Sequence, residues 1–551
     1  MPGLRPPEGD IGVHSAPVRA CLALLGLFGL AFLVLALVER LGLNPDLVPM
    51  GVIVSALALF VLAALAAHGR RPVDYYIADR SVSPAVGGFA GASCVAGLLA
   101  IGVAGGAFAT AGEIVISAMG FLLGFLFLGM LFAPGLRRWR GFSVTDFMAA
   151  RFGGSPARLA AALVAFTSSF LLLLAHLETS GPLLSTLLNL TPEQGFYLVT
   201  GLTLCAILPG GMRSLTWTQM IQYLVIALAC LLPAGFLSAL MAGAGPELAA
   251  PPALQSLLPQ LVEPFRVGGL GGVALPVLIL AAGTASLAPL LARPLAASGG
   301  RDAGASMIWA LILGLVIVLG GLVLGQVVAS QAGGAPAGAL GGDPLLLATP
   351  IFAGMPSVLA GLVMAGLLAA LLAIGQAALL SAAGALSHDL WDAFADPGAP
   401  EGRRLFIARL LVIVVALAAA WIGLNVATDP PALIGWALAL AAGGMFVPLL
   451  LGMYWRGCSA MGGLLGMLTG FGLVCLVFLL EARVLPGSDG ANPAAGLGPI
   501  GAAGMAMLAA LLVSAAVSIL KRQRDRDASV GEVLAAVRGR RGKAPMRERP
   551  A

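Results

Sequence analysis

The chain has 551 residues, of which 59% are hydrophobic and only 10% charged, with a formal net charge of +5 and a mean hydropathy of +1.00. A soluble domain carries roughly 25% charged residues. Composition therefore excludes a soluble globular protein and a nucleic-acid-binding domain, and points to an all-α polytopic protein embedded in a lipid bilayer.

A crossing segment needs about 20 mostly apolar residues to traverse about 30 Å of hydrocarbon. The hydropathy pattern predicts about 14 such segments. Two precede the main body, at 20–39 and 47–67. Ten follow at 84–110, 114–134, 158–188, 194–210, 214–242, 270–291, 305–331, 356–386, 406–424 and 431–454, and two more, 460–481 and 499–520, close the set. The first segment begins after Arg19, is longer than a signal-peptide core and lacks a small-residue cleavage site, so it is read as a retained span.

Short loops on the cytoplasmic side concentrate Lys and Arg. With the amino terminus inside, only Arg40, Arg266 and Arg483 of the 30 basic residues fall outside. This predicts cytoplasmic termini in a bacterial inner (cell) membrane. The tail "KRQRDRDASVGEVLAAVRGRRGKAPMRERP" is expected to be a solvated, largely disordered basic segment. The six cysteines, in spans or an inner loop, show no metal spacing and are expected to be reduced packing residues.

Glycine and proline cluster in two places. The third span carries Gly87, Gly88, Gly91, Gly97, Gly102, Gly105 and Gly106. Five spans later, "VGGLGGVALPVLILAAGTASLAPLLARP" combines a second glycine cluster with Pro276 and Pro289. Interrupted spans at matching positions in two halves point to inverted repeats with a site at the midplane between them. Pairs such as Gly102-x-x-x-Gly106 and Gly120-x-x-x-Gly124 alternatively serve close helix packing.

The stretches "RPVDYYIADRSVSP", "FSVTDFMAARFGG", "GGMRSLTWTQMIQYLVI", "GTASLAPLLARP", "AGMPSVLAGLVMAGLLAALLA", "LSHDLW" and "GMYWRG" occur in that order. Through them the chain resembles the sodium:solute symporters, in particular the acetate permease and monocarboxylate branch, from about residue 70 to 535. The resemblance implies a core of two inverted five-helix repeats with broken first helices, working by alternating access. The implied organisation is an accessory segment over 1–82, a first repeat over 83–243, an outer loop over 244–268, a second repeat over 269–455, two further spans within 456–520 and a basic tail over 521–551. It further implies a sodium site where backbone carbonyls of the first core helix meet two hydroxyls of the eighth, a cage of oxygens of the kind hard cations require.

Counted back without gaps from Ser387-His388-Asp389, those two hydroxyl positions fall on Ala373 and Ile374, which offer no side-chain oxygen. Gln376 is the nearest polar side chain, either a ligand or a helix-to-helix hydrogen bond. His176 and Glu178 are ionisable residues inside an apolar span, where charge is costly and often marks an ion or proton path. Ala373, Ile374, His176 and Glu178 are thus the candidate ion-coupling positions. Ser93, Cys94, Thr284, Ser286 and Gln376 are the candidate solute-binding ones, and Glu113 is read as a loop carboxylate near the outer entrance. Ser387-His388-Asp389 is read as a solvated helix end, because helix neighbours point about 100° apart and triad members converge from separate segments.

No Gly-x-Ser-x-Gly elbow, zinc spacing or phosphate loop is found, so no enzyme, no cofactor and no metal beyond a coupling Na+ or H+ is expected. The implied activity is ion-coupled symport of a small organic solute such as a short monocarboxylate. A receptor or regulatory protein on the same fold is the alternative. The expected partners are the bilayer and a small-molecule solute, with no nucleic acid and with oligomeric state left open.

Overall fold

Peptide groups exposed to hydrocarbon must be paired within the chain, which leaves helices and closed barrels as the only spanning structures. The computed structural model describes residues 11–42, 47–104, 111–243, 252–331, 356–426, 428–481, 497–521 and 528–539, and within them it contains helices and no sheet. Helices α1 (Ile11–Arg40) and α2 (Leu47–Ala66) are the accessory spans. The first leaves Leu22, Leu33 and Leu37 exposed, as a lipid-facing helix does, while the second buries Val52, Ile53 and Phe60 against the core. After the short α3 (Pro72–Ile77), the core begins with α4 (Pro84–Ala104) and α5 (Ala111–Phe127), the latter continued through a π-helical turn into α6 (Ala133–Trp139). A connecting helix α7 (Val144–Phe152) leads into α8 (Ser155–Leu187), α9 (Pro192–Ile207) and α10 (Met212–Gly243).

The second half opens with α11 (Pro252–Ser286), α12 (Ala288–Leu291) and α13 (Arg293–Ala296). It continues with α14 (Gly300–Gln331), α15 (Ser357–Gly384, extended by a π-helical segment over Ala385–Ala395), α16 (Glu401–Asn425), and α17 (Pro430–Ala441), which runs through a π-helical turn into α18 (Val447–Tyr454). Helices α19 (Ala460–Glu481) and α20 (Gly498–Leu520) follow, then α21 (Ala528–Val537). The end of the bundle that carries Arg70, Arg71, Arg138, Arg140 and Arg403 is its basic end.

Among the described residues twelve helices are long and apolar enough to cross a bilayer, and the bent pair Gly271–Ser286 and Ala288–Ala296 passes the same test when its two pieces are taken together, for up to 13. The remaining predicted span, 194–210, is α9, whose 16 residues give about 24 Å of helix.

Several of the core's principal helix contacts recur when its two halves are exchanged. The first helix of each half packs on the second of the other, as α4 on α14 and α11 on α5. The third packs on the fifth of the other half, as α8 on α17 and α15 on α10, and the fifth packs on the first of its own, as α10 on α4 and α17 on α11. The self-paired contacts α8 on α15 and α9 on α16 lie on the axis of this exchange.

Two expectations need correction, and a third is met in part. Among the described residues the interruption foreseen in both first helices is seen in the second half. Helix α4 is continuous from Pro84 to Ala104, and residues 105–110, on which Gly105 and Gly106 fall, lie outside the described residues. Its glycines serve close packing instead: a Cβ at Gly88 would sit 2.4 Å from the Trp309 Cβ, and one at Gly91 2.6 Å from that of Ala310, both on α14. The outer loop placed over 244–268 is helical from Pro252 onward, because α11 runs through it with one non-helical residue at Gly269 (φ 61°). The tail is helical over Ala528–Val537, where Val533, Leu534 and Val537 form one buried apolar face. Val537 packs on Gly135 of α6, and Arg138 Nη1 donates to the Val537 carbonyl at 3.4 Å; the abundance of tail charge concealed this short amphipathic repeat.

Helix α5 approaches α11 closely through Gly120 and Gly124. A Cβ at Gly124 would lie 2.5 Å from the Thr284 Cβ and 3.0 Å from the Ala281 carbonyl oxygen, which is backbone and cannot give way. Gly124→Leu is therefore expected to overpack this contact at a cost of about 1–3 kcal/mol, read as a lower thermal midpoint of the purified protein. Gly321→Ala, at a position with no heavy atom within 4 Å, is expected to leave the midpoint unchanged or raise it slightly.

Candidate functional site

The break in the second half is local in origin. Leu287 is extended (φ −66°, ψ 124°) and Pro289 follows in the first turn of α12, so the two helical pieces meet at 57°. Ser286, just before the break, donates back to the Ala282 carbonyl at 2.6 Å. The amides of Leu290 and Leu291 both return to the Leu287 carbonyl, at 2.9 and 3.0 Å. Beyond the bend, Val82 and Ala297 pair as an isolated bridge that ties the entry to α4 to the exit from α13.

The bend faces a cavity of about 70 Å³ whose lining includes Ala288, Arg293, Met212, Ala377, Ser381 and Asp389. A single water needs roughly 10–15 Å³ on this measure, so the space holds several heavy atoms. At its deep end lies a buried polar network joining four helices. Arg293 Nη2 donates to Gln219 Oε1 at 2.8 Å and contacts Cys94 Sγ at 2.9 Å. Gln219 Nε2 donates in turn to the Ala373 carbonyl at 2.6 Å. One turn along α10, Gln222 Nε2 donates to Gln376 Oε1 at 3.2 Å. The two glutamines, three residues apart on one helix face, thus stitch α10 to α15 beside the cavity.

The predicted positions separate on this map. Cys94, Ala373 and Gln376 belong to the network. Ser93 donates to the Ala90 carbonyl of its own helix at 2.8 Å. Thr284 is buried against Gly124 with no hydrogen-bond partner for its hydroxyl. His176 is buried on the α9 and α15 side of α8, 3.2 Å from Thr203 Oγ1 and 3.0 Å from Ser180 Oγ, with its ring against Gly375. Glu178 lies on a different face, toward Gly423 of α16, and neither residue lines the cavity. Helix α8 continues through Pro182 to Leu187, so both residues lie within it. Glu113 is exposed in the first turn of α5.

Ser387, His388 and Asp389 are 1%, 8% and 4% exposed, which corrects the expectation of a solvated helix end. They are not a triad either. At the basic end they clasp α15 to the loop before α7: Ser143 Oγ donates to Asp389 Oδ1 at 2.6 Å, and His388 Nε2 lies 3.0 Å from Asp146 Oδ2. Tyr76 donates to Ser387 Oγ at 2.9 Å, and Arg158 pairs with Asp146 Oδ1 at 2.6 Å. Asp146 also caps the start of α7, accepting from the Ser143 amide at 3.2 Å. The side chains of Asp146, His388 and Asp389 stand close enough to hold a cation, but their oxygens are taken up by these bonds. Together they close one end of the cavity.

The profile of the sodium:solute symporter family matches residues 75–470, most of the chain. The chain belongs to the sodium:solute symporter family. Among relatives of this symporter, a monocarboxylic acid transporter of Corynebacterium glutamicum is 26% identical over 410 residues, covering 68% of this chain and 73% of the relative. An uncharacterized symporter of Cupriavidus necator is 32% identical over 217 residues; that match spans 38% of this chain and only 31% of the relative. Among solved structures, a Na+-coupled sialic acid symporter in a substrate-bound outward-open state superimposes with a TM-score of 0.68 at 16% identity, covering 86% of this chain and 98% of that one. This likeness establishes the all-helical fold with its core of two inverted five-helix repeats.

The ion positions implied by the family do not fit a sodium cage in this symporter. Ala373 and Ile374 are fully buried and lack side-chain oxygens, and the Ala373 carbonyl is already occupied by Gln219. Ile374 fills the remaining room, since a Cβ at Gly97 of α4 would stand 2.7 Å from the Ile374 Cβ.

Sequence reasoning missed Arg293 because it sits just past the predicted 270–291 span and counts as ordinary inner-loop charge. It missed the Asp146 clasp because its members are more than 240 residues apart. The Ser143-x-x-Asp146 spacing of a capping box was the one local signal.

Burial opposes ionisation of Asp146, but the hydrogen bond and charge of His388, together with Arg158, more than offset it and hold the carboxyl well below the usual carboxylate range. A depressed carboxyl stabilises the fold above the unfolded-state value of about 3.9, and that contribution is lost as pH falls toward the folded-state value. Asp146→Asn is therefore expected to lower stability at pH 7 by about 1.5–3 kcal/mol. The gap from the unsubstituted protein should narrow below about pH 4, as followed by thermal unfolding across pH.

Proposed function

We propose that the protein is an ion-coupled secondary active transporter that carries a short monocarboxylate inward across the bacterial inner membrane by alternating access, with both termini cytoplasmic. The observation that carries the reading is the 57° break over a small cavity lined by residues of both halves. Broken backbone at membrane depth is tolerated where it lines a cavity, and sites of this kind lie between repeats. The relative named as a monocarboxylic acid transporter supports the solute class.

The coupling ion in this proposal is a proton. The support is at Ala373 and Ile374, where no hydroxyl is present and the Ala373 carbonyl accepts from Gln219. Sodium is the second reading, favoured by the family and by the Na+ coupling of the structurally similar sialic acid symporter.

Reconstituted into proteoliposomes, the protein is expected to accumulate labelled acetate or pyruvate under an inward proton gradient, and a protonophore should abolish the accumulation. Accumulation driven by a sodium gradient alone would establish the second reading. Saturable binding of these acids without accumulation under either gradient would point to a receptor on the symporter fold.

A further inference from the structure

We propose that Arg293 is the carboxylate-binding residue of this transporter, a fixed cation whose counter-charge arrives with the solute. The inference rests on the transporter reading above and adds to it the group that selects an anion.

A guanidinium stays charged inside a protein, and a buried charge is costly unless paired and hydrogen-bonded. Three arginines are buried among the described residues. Two donate to helix-end and loop carbonyls. Arg151 donates to the carbonyls of Gly452, Trp455 and Cys458 at 2.9, 3.2 and 2.9 Å. Arg137 donates from Nε to the carbonyl of Ala297 and from Nη2 to that of Ser298. Arg293, which like them forms no ion pair, makes no such bond to a backbone carbonyl among the described residues. Its partners are the neutral Gln219 and Cys94. Its buried Nε has no hydrogen-bond partner, and the residue lines the cavity beside the break.

A planar fork with an unused buried donor, on a residue that lines a cavity of about 70 Å³, matches a carboxylate, which accepts two parallel N–H bonds from one guanidinium. Gln219 is the positioning residue. Its amide nitrogen is fixed on the Ala373 carbonyl, so its oxygen is held toward Arg293 and one edge of the fork is left for solute. The same arrangement places a permanent positive charge, through Gln219, next to the position where the family's sodium would sit. Like charges repel strongly where the dielectric is low, so an arginine that neutralises the solute also disfavours sodium at Ala373.

The test uses the purified full-length protein in detergent, with binding of acetate, propionate and pyruvate read by thermal stabilisation and titration calorimetry. Acetamide and propionamide serve as neutral isosteres. The unsubstituted protein is expected to bind the acids and not the amides. Arg293→Gln should weaken acid binding at least tenfold, the share of one charge-assisted hydrogen bond, and erase the preference for acid over amide. Arg293→Lys keeps the charge but not the fork. It should bind the acids with intermediate affinity, and it carries the test should the glutamine variant fail to fold.

Equal affinity for the acids in the unsubstituted protein and in Arg293→Gln would overturn the inference while leaving a monocarboxylate transporter intact. Binding of the amides as well as the acids by the unsubstituted protein would overturn it too. Uptake of neutral solutes with no binding of any acid would overturn both the inference and the monocarboxylate reading.

Discussion

Everything in this molecule follows from the cost of an unpaired polar group in hydrocarbon. That cost makes every crossing segment a helix, and it makes any departure from a helix informative. Such a departure occurs between Ser286 and Ala288, where an extended Leu287 and the following proline divide the first helix of the second half. The chain limits the damage locally, by turning Ser286 back onto its own helix and by returning two amides to the Leu287 carbonyl. What remains faces a cavity lined by residues of both halves.

The same cost governs the side chains around the cavity. Gln219 and Gln222 would be liabilities facing lipid; facing α15 they fix its register against α10 through Ala373 and Gln376. Arg151 shows how the fold satisfies a buried guanidinium when its role is structural, by surrounding it with carbonyls. Arg293 is left incomplete by comparison, in contact with a thiol and an amide. At the basic end the Asp146 clasp joins α15 to the loop before α7 with charge-assisted bonds.

How much of this the sequence reveals depends on whether the signal is local. Long apolar runs gave the helices and their order, because hydropathy acts over one span at a time. The break near Thr284 and Pro289 was legible from its glycine and proline cluster, and the absence of hydroxyls at Ala373 and Ile374 from motif order. By contrast, the glycines of α4 looked like a second interruption, because glycine serves both to break helices and to let them touch; only the partner, here Trp309 and Ala310 of α14, separates the two uses. The burial of His388 and Asp389 was illegible for a related reason. A polar helix end reads as solvated unless one knows that Ser143 and Asp146 cover it. Arg293 was hidden by a rule that is correct on average, since most arginines just past a span are anchors in water.

The central claim is that a fixed cation beside Ala373 does the work which the family's sodium cage does elsewhere. Its most direct test is the affinity of the purified protein for acetate or pyruvate in sodium chloride and in choline chloride at equal ionic strength. Binding of the two partners of a coupled site must be reciprocal, so a sodium-coupled site tightens for its solute when sodium is present. The account predicts the same dissociation constant in both salts; a constant tenfold or more lower in sodium would contradict it.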